Sequence, residues 1–258
     1  MPKSSKPGKS AQQNATKQAK TGQLTCTTPA AADPFVSLPP WKHLPKDPKP
    51  TLTPIAPDLP GQLFVIEHAL PAHVCTALID AAESYGFAPA EKNLRPKKGF
   101  AFRDSGRIAL PGHLDLTKRL ESILLPVIEK SVLHPDSGAQ PSALYNLIRL
   151  YKYERGQSFG CHYDDSVSVP AQGGGRTEYT LLVYLSGGQE DKANALAGGE
   201  TVFYHPDSKR KVVASVAPIQ GRALLHRHGH ACLLHEGAAV EKGVKYVLRS
   251  DVIYPASK

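Results

Sequence analysis

Cysteine is scarce and scattered in this chain. Its four residues, Cys26, Cys75, Cys161 and Cys232, form no Cys-x-x-Cys pair, which argues against a disulfide framework or a structural zinc site and fits a reducing compartment. Long apolar runs are missing too. None approaches the ~20 residues that span a bilayer, so no membrane partner is expected. Met1 to Lys20 is polar and lysine-rich with no apolar centre, unlike a secretory signal. The expected location is therefore intracellular, cytoplasmic or nuclear. The net charge of +8 is modest, and much of it lies early: eight lysines against three aspartates up to Pro60. A basic tail of this kind serves nucleic-acid contact or nuclear import, but a solubilising disordered arm is the plainer reading.

What the chain does have falls into two parts. Residues 1–60 carry Lys, Ser, Gln and Thr and then many prolines (Pro34, Pro39, Pro40, Pro45, Pro48, Pro50, Pro54, Pro57, Pro60) without a hydrophobic period. They read as a disordered basic, then Pro-rich, arm, in which Trp41 is either docked on the domain or exposed. Residues 61–258 read as one domain, with a helical support region over 61–140 and a β-rich core over 141–258. Gln62–Ile66 is an apolar strand. Pro71 opens a helix whose Val74, Leu78, Ile79 and Ala82 recur at helical spacing, with Gly86 as its stop. Phe100–Leu110 reads as extended. A second helix is expected from about Leu116 to Leu133, with Asp115 as N-cap, Leu120, Ile123, Leu124, Val127 and Ile128 as its buried stripe, and a kink at Pro126. Strands are expected at Ala143–Tyr153, Glu178–Leu185, Glu200–Tyr204, Val212–Ala217, Arg222–His226, His230–Leu234 and Val244–Tyr254. The fold class is α+β, mainly β: a sandwich or jelly roll with helices packed on one face.

Two stretches carry the chemistry: Gly160-Cys161-His162-Tyr163-Asp164-Asp165 and Leu233-Leu234-His235-Glu236-Gly237. On an extended backbone His162 and Asp164 point to the same side. One more His from a distant strand would complete a two-His-one-carboxylate facial triad, the usual home of non-haem Fe(II), with three adjacent positions open. His-x-Asp also arises by chance in surface turns. Besides His235, the alternating His226, His228 and His230 offer a metal site of their own.

From Leu147 to Tyr254 the sequence resembles the Fe(II)/2-oxoglutarate-dependent dioxygenases, in particular their prolyl-4-hydroxylase-like branch. The blocks that carry the resemblance keep their order. Leu150–Gly156 resembles the Tyr-x-x-Gly strand leading into His162-Tyr163-Asp164, the metal motif. Thr180–Leu185 matches the Thr-x-Leu-x-Tyr-Leu strand, Gly198–Phe203 the Gly-Gly-Glu-Thr-x-Phe turn, and Val216–Leu224 the Val-x-Pro-x-x-Gly-x-Ala-Leu segment. His235 then precedes a cation by ten positions. Phe64–Ser105 resembles the family's helical support region more loosely.

The resemblance implies a double-stranded β-helix (jelly roll) with N-terminal supporting helices. It makes His162, Asp164 and His235 the iron ligands, and His226, His228 and His230 wall or surface residues. It implies Fe(II), 2-oxoglutarate and O2 as cofactor and cosubstrates, and ascorbate as an accessory. Lys245 is the expected partner of the far carboxylate of 2-oxoglutarate. Arg249, four residues on and on the same strand face, is expected to share that task or to face solvent. Tyr153, Thr180 and Tyr184 are placed to offer hydroxyls or to serve as plain core. The family's Pro after the distal motif is Ala239 here, which touches a turn and not the chemistry. Lys245 and Arg249 do not reproduce the paired-arginine pattern of nucleic-acid demethylases, which lowers that reading despite the basic tail.

The expected function is hydroxylation of a C–H bond with release of succinate and CO2. The substrate is a protein side chain such as proline, or a small molecule. A silent scaffold that keeps the fold and binds a partner through its arm is the reading from a different class. A nucleic-acid oxygenase is the third, and oligomeric state stays open. Asp165–Gly175 and Glu190–Ala197 are candidate lids.

Overall fold

A period-two pattern folds into strands with two unlike faces, and those faces divide the labour in this protein. A computed structural model describes residues 33–41, 47–89, 101–134, 137–188 and 195–256, all within one unit that begins at Asp33. In chain order the elements are β1 (Thr51–Pro54), β2 (Leu63–Glu67), α1 (Ala72–Tyr85), β3 (Gly106–Pro111), α2 (Leu114–Glu129), β4 (Ala143–Leu144), β5 (Leu147–Tyr153), β6 (Phe159–His162) and β7 (Arg176–Tyr184). Then come β8 (Ala197–Gly198), β9 (Thr201–His205), β10 (Ser208–Val216), β11 (Ala223–Arg227), β12 (His235–Gly237), β13 (Val240–Lys242) and β14 (Lys245–Tyr254). The larger sheet runs β1-β2-β11-β7-β14-β5-β3, with β4 on β14. The smaller runs β10-β9-β12-β6, and β13 pairs with β8. Among the described residues the chain is thus mainly β with two α-helices, in keeping with a jelly roll.

Register assigns the faces of the larger sheet. Val183, Leu248, Leu150 and Ile108 lie in one cross-strand row. They join a core built with Val74, Leu78 and Ala82 of α1 and Leu116, Leu120, Leu124 and Ile128 of α2. Each fully buried Leu or Ile stabilises by roughly 1.5–3 kcal/mol, so this face anchors the sheet to its helices. The alternate residues face the other way. One row there is Leu224, Leu182, Arg249 and Arg149. The next is His226, Thr180 and Asp251, and Lys245 stands opposite Tyr153. Polar residues therefore share a face that leaves the helices alone.

The helices keep most of their expected limits. Pro71 caps α1 in an extended conformation, and Gly86 ends it at a φ of 89° with its N–H donating to the Ala82 carbonyl. The second helix starts and ends earlier than expected. His113, not Asp115, is its cap, its Nδ1 accepting from the Leu116 N–H at 3.2 Å. Asp115 instead pairs with Arg119 one turn on, at 2.9 Å. The expected strand His230–Leu234 is a short 3-10 turn, Gly229–Ala231, followed by irregular chain into β12. Gly229 has a φ of 69°, which breaks an extended run there.

The arm also differs from expectation within the described residues. Phe35, Leu38 and Trp41 belong to the core. Phe35 packs on the Tyr85 ring at 5.7 Å, and Arg119 donates to the Leu38 carbonyl at 3.2 Å. Thr51–Pro54 is a strand paired to β2 alone. Proline density hid it from the sequence pattern, yet an edge strand tolerates Pro at its end because no ladder donor is needed there. Residues 33–41 and 47–60 thus belong to the unit that begins at Asp33 and pack with the domain. The expectation for residues 1–32 and 42–46 lies outside the described residues.

Candidate metal centre

Antiparallel pairing of β12 with β6 sets His235 directly opposite His162. Two residues past His162, Asp164 closes the group. One ligand atom from each of His162, Asp164 and His235 lies within 4.8 Å of the others. His162 Nε2 is 3.7 Å from Asp164 Oδ1, and His235 Nε2 is 3.8 Å from Asp164 Oδ2. These gaps are too long for hydrogen bonds and suit atoms arranged about a common ion.

The second nitrogens explain why both Nε2 atoms are free. His162 Nδ1 meets the Gly160 carbonyl at 2.9 Å, and His235 Nδ1 meets the Leu233 carbonyl at 2.9 Å. A carbonyl can only accept, so each Nδ1 carries the proton and each Nε2 turns its lone pair inward, the usual way a protein prepares a metal-binding imidazole. Aromatic rings fix the planes: Phe159 stacks on His162 at 3.7 Å and Phe203 on His235 at 5.3 Å. Burial, then the neighbouring His235, brings the His162 pKa down to about 4, and burial also lowers that of His235. Both are therefore neutral and able to ligate near pH 7. The donor set, two neutral imidazoles and one carboxylate, fits Fe(II).

Asp164 is held from both sides. Burial works to raise its pKa, but Arg249 and then the three surrounding imidazoles, His226, His235 and His162, hold it well below the usual carboxylate range. Arg249 donates to Oδ1 at 2.9 Å and Thr180 to Oδ2 at 2.8 Å. Arg249 also reaches Asp251 at 3.2 Å, and Arg149 meets the same carboxylate at 3.4 Å. Sequence reasoning put Thr180 and Arg249 with the cosubstrate carboxylate; their side chains are instead spent on a candidate ligand.

Lys245 sits at the opposite end of the inward face with a different set of neighbours. It is 5% exposed. Its Nζ donates to the Gly199 carbonyl at 2.6 Å and lies 5.4 Å and 5.5 Å from the Tyr153 and Tyr184 ring centres. Among the described residues no carboxylate lies within ion-pair reach of it. Burial lowers its pKa to about 8, against a smaller upward pull from Glu200. Tyr184 spends its hydroxyl on Thr201, 2.7 Å away, and presents its ring to the ammonium. The Gly199 turn presses on the lysine stem: a Cβ there would stand 3.1 Å from Lys245 Cδ, at a φ of +76°.

The histidine trio does not gather. His228 gives both ring nitrogens to threonine hydroxyls, Thr180 and Thr177, at 3.0 Å each, and His230 lies on the 3-10 turn. His226 does face Asp164, at 3.6 Å; the wall position assigned to it understates its place. Leu224 and His226 share a strand face with Thr180 across the ladder, a period-two signal that could have revealed it. His226, Cys232 and His235 form a second group of ligand-bearing atoms. Its short Cys232 contact is to His235 Nδ1, 3.9 Å away, which is already committed to a carbonyl. Burial also pushes the Cys232 thiol up to about 12, so this set is the poorer host. Of the two expected lids, Asp165–Gly175 is fastened to its neighbours through Ser166 Oγ on the Thr177 carbonyl at 2.6 Å, Val167 N–H on Thr177 Oγ1 at 2.9 Å and Val169 N–H on the Gly175 carbonyl at 3.1 Å. The other lies largely outside the described residues.

Residues 148–250 match the family model of the 2OG-Fe(II) oxygenase superfamily. Comparison with curated proteins gives no match. Among solved structures, a viral collagen prolyl hydroxylase from Paramecium Bursaria Chlorella virus-1, in its 2OG complex, is 18% identical with a TM-score of 0.51, covering 76% of this chain and 97% of its own. A Pseudomonas putida prolyl-4-hydroxylase is 16% identical with a TM-score of 0.52, covering 78% and 98%. A prolyl hydroxylase from Trichoplax adhaerens, in complex with a hypoxia inducible factor oxygen degradation domain peptide fragment, is 16% identical with a TM-score of 0.51, covering 75% and 84%. The matched segment holds every metal and cosubstrate candidate named above, and the fold that carries it is that of the prolyl hydroxylases.

Proposed function

We propose that the protein hydroxylates a C–H bond of a protein side chain, with peptidyl proline as the first substrate to test. The observation that carries this reading is the convergence of His162, Asp164 and His235 on one point, with Lys245 buried on the same inward sheet face. The three ligands would hold Fe(II), and Lys245 would bind the remote carboxylate of 2-oxoglutarate. The bound metal and cosubstrate supply oxidative decarboxylation to succinate and CO2 and the oxidising power that hydroxylates the substrate.

The chain's own residues do the positioning. Backbone carbonyls of Gly160 and Leu233 keep both imidazoles in the ligating tautomer. Arg249 and Thr180 keep Asp164 ionised and fix its plane. Phe159 and Phe203 wall the imidazoles and exclude water. A buried ammonium is costly without a counter-charge, so Lys245 favours a dianionic cosubstrate over a monoanion. The peptide named with the Trichoplax relative supports a protein substrate.

The test is succinate formation from 2-oxoglutarate with Fe(II) and ascorbate, wild type against His162→Ala. It is paired with mass spectrometry of treated lysates for a gain of about 16 Da, one oxygen. Wild-type-only succinate and a gain on proline are expected. A gain on another residue moves the substrate, and equal succinate from both proteins favours a silent scaffold.

A further inference from the structure

His226 is the one imidazole at this centre that the ligand set leaves without a task. It lies on β11 opposite Thr180 of β7, is 1% exposed, and its Nε2 has no hydrogen-bond partner. That atom faces Asp164 Oδ2 at 3.6 Å, beyond hydrogen-bond range, and Oδ2 already accepts from Thr180 at 2.8 Å. The ring is wedged between His235, centres 4.6 Å apart, and the edge of Phe203, 5.2 Å away. A buried polar atom without a partner is destabilising and calls for an explanation. Here the atom is aimed at the metal group.

The other nitrogen separates His226 from the two candidate ligands. Their Nδ1 atoms are held by carbonyls at 2.9 Å. His226 Nδ1 has only a 3.4 Å contact to the Arg227 carbonyl, at the outer limit of a hydrogen bond. That long contact holds a proton on Nδ1 far less firmly than the 2.9 Å bonds of the other two rings, so of the three His226 is the ring best placed to carry its proton on Nε2 as an inward donor. Donation also fits the chemistry better than ligation. A facial triad leaves three positions open; a fourth protein nitrogen would leave two, both taken by a chelating 2-oxo acid, with none for dioxygen.

We propose that His226 donates a hydrogen bond from Nε2 to an oxygen at the chelating end of the 2-oxo acid, complementing Lys245 at the far end. This rests on the dioxygenase reading above. His226 is then a cosubstrate-binding residue and not a ligand.

The experiment uses the full chain freed of metal and loaded with Co(II), so that no turnover intervenes. Calorimetry reads Co(II) affinity, and the cobalt visible absorption reads 2-oxoglutarate binding. Wild type is compared with His226→Phe, which fills the space without a donor, and His226→Gln, which restores an N–H; circular dichroism checks each fold, and His226→Met replaces the Phe variant if that does not fold. We expect Co(II) affinity within about threefold of wild type throughout, 2-oxoglutarate binding weakened about tenfold or more in the Phe variant, and most of it regained in the Gln variant. Equal 2-oxoglutarate affinity in wild type and the Phe variant overturns the inference while leaving the dioxygenase reading standing. A Co(II) affinity lowered about a hundredfold also overturns it, since that marks a ligand. A wild type that takes Co(II) but no 2-oxoglutarate sinks the dioxygenase reading and the inference with it.

Discussion

The two ends of the inward face handle buried charge in opposite ways. Around Asp164 the charges are matched inside the protein: Arg249 bridges Asp164 and Asp251, Arg149 joins Asp251, and Thr180 occupies the remaining carboxylate oxygen. Around Lys245 the ammonium has a carbonyl and two aromatic rings, and no carboxylate among the described residues within ion-pair reach. A matched network fixes orientation whatever else binds. An unmatched buried charge lowers stability until an anion joins it, which is the mark of a binding position more than of a structural one.

The comparison can be broken most forcefully at its balanced end. Asp164→Asn should lower Co(II) affinity at least a hundredfold by calorimetry. It should also cost about 2 kcal/mol of unfolding free energy in urea, because Arg249 loses one charged acceptor while keeping Asp251. A variant of unchanged stability would mean the network is not matched as described. At the other end, Lys245→Met should weaken 2-oxoglutarate binding roughly a hundredfold, yet leave the melting temperature of the ligand-free chain equal or higher, since an apolar side chain replaces an unpaired charge. A lower melting temperature would erase the contrast. Arg249→Lys should reduce Co(II) affinity about tenfold, because a point charge cannot serve two carboxylates and a hydroxyl together.

Two smaller effects sharpen the picture. The folded chain releases the Lys245 proton at about 8 against an ordinary 10.5. Across that window the unfolded chain binds more protons, so stability should rise with pH there. Lys245→Met should flatten the rise in urea titrations at pH 7 and 9.5. The 2-oxoglutarate affinity has the opposite slope, falling above about pH 8 as the ammonium is lost. Tyr184→Phe should cost only about 1 kcal/mol, one neutral hydrogen bond to Thr201, with little change in cosubstrate binding.

What the sequence revealed of this site follows from distance along the chain. His162 and Asp164 are two residues apart, so strand alternation alone pairs them, and ordered motifs supplied His235. Alternation also put Lys245 with Arg249, and Thr180 with Tyr184, on common faces. It could not say which end of each pair faces the metal, because that depends on where β6 and β12 cross the larger sheet. For that reason the sequence left Arg249 between cosubstrate and solvent and Thr180 between cosubstrate and core, while the structure sets both against Asp164. His226 was passed over because its neighbours His228 and His230 made a louder pattern, although only His226 lies on the strand. In the arm, prolines masked an edge strand, while the burial of Phe35 depends on partners some fifty to eighty residues away, Tyr85 and His113.

The turn beneath Lys245 has a final consequence. The floor on which the ammonium rests is main chain: the Gly199 carbonyl, in a loop fastened by the Gly199 N–H to the Ala239 carbonyl at 3.0 Å. Side chains drift with substitution, but peptide geometry does not. With Lys245 as the anion anchor proposed above, the height of its ammonium is set by a peptide plane, and any side chain at 199 would press on the lysine stem and shift it.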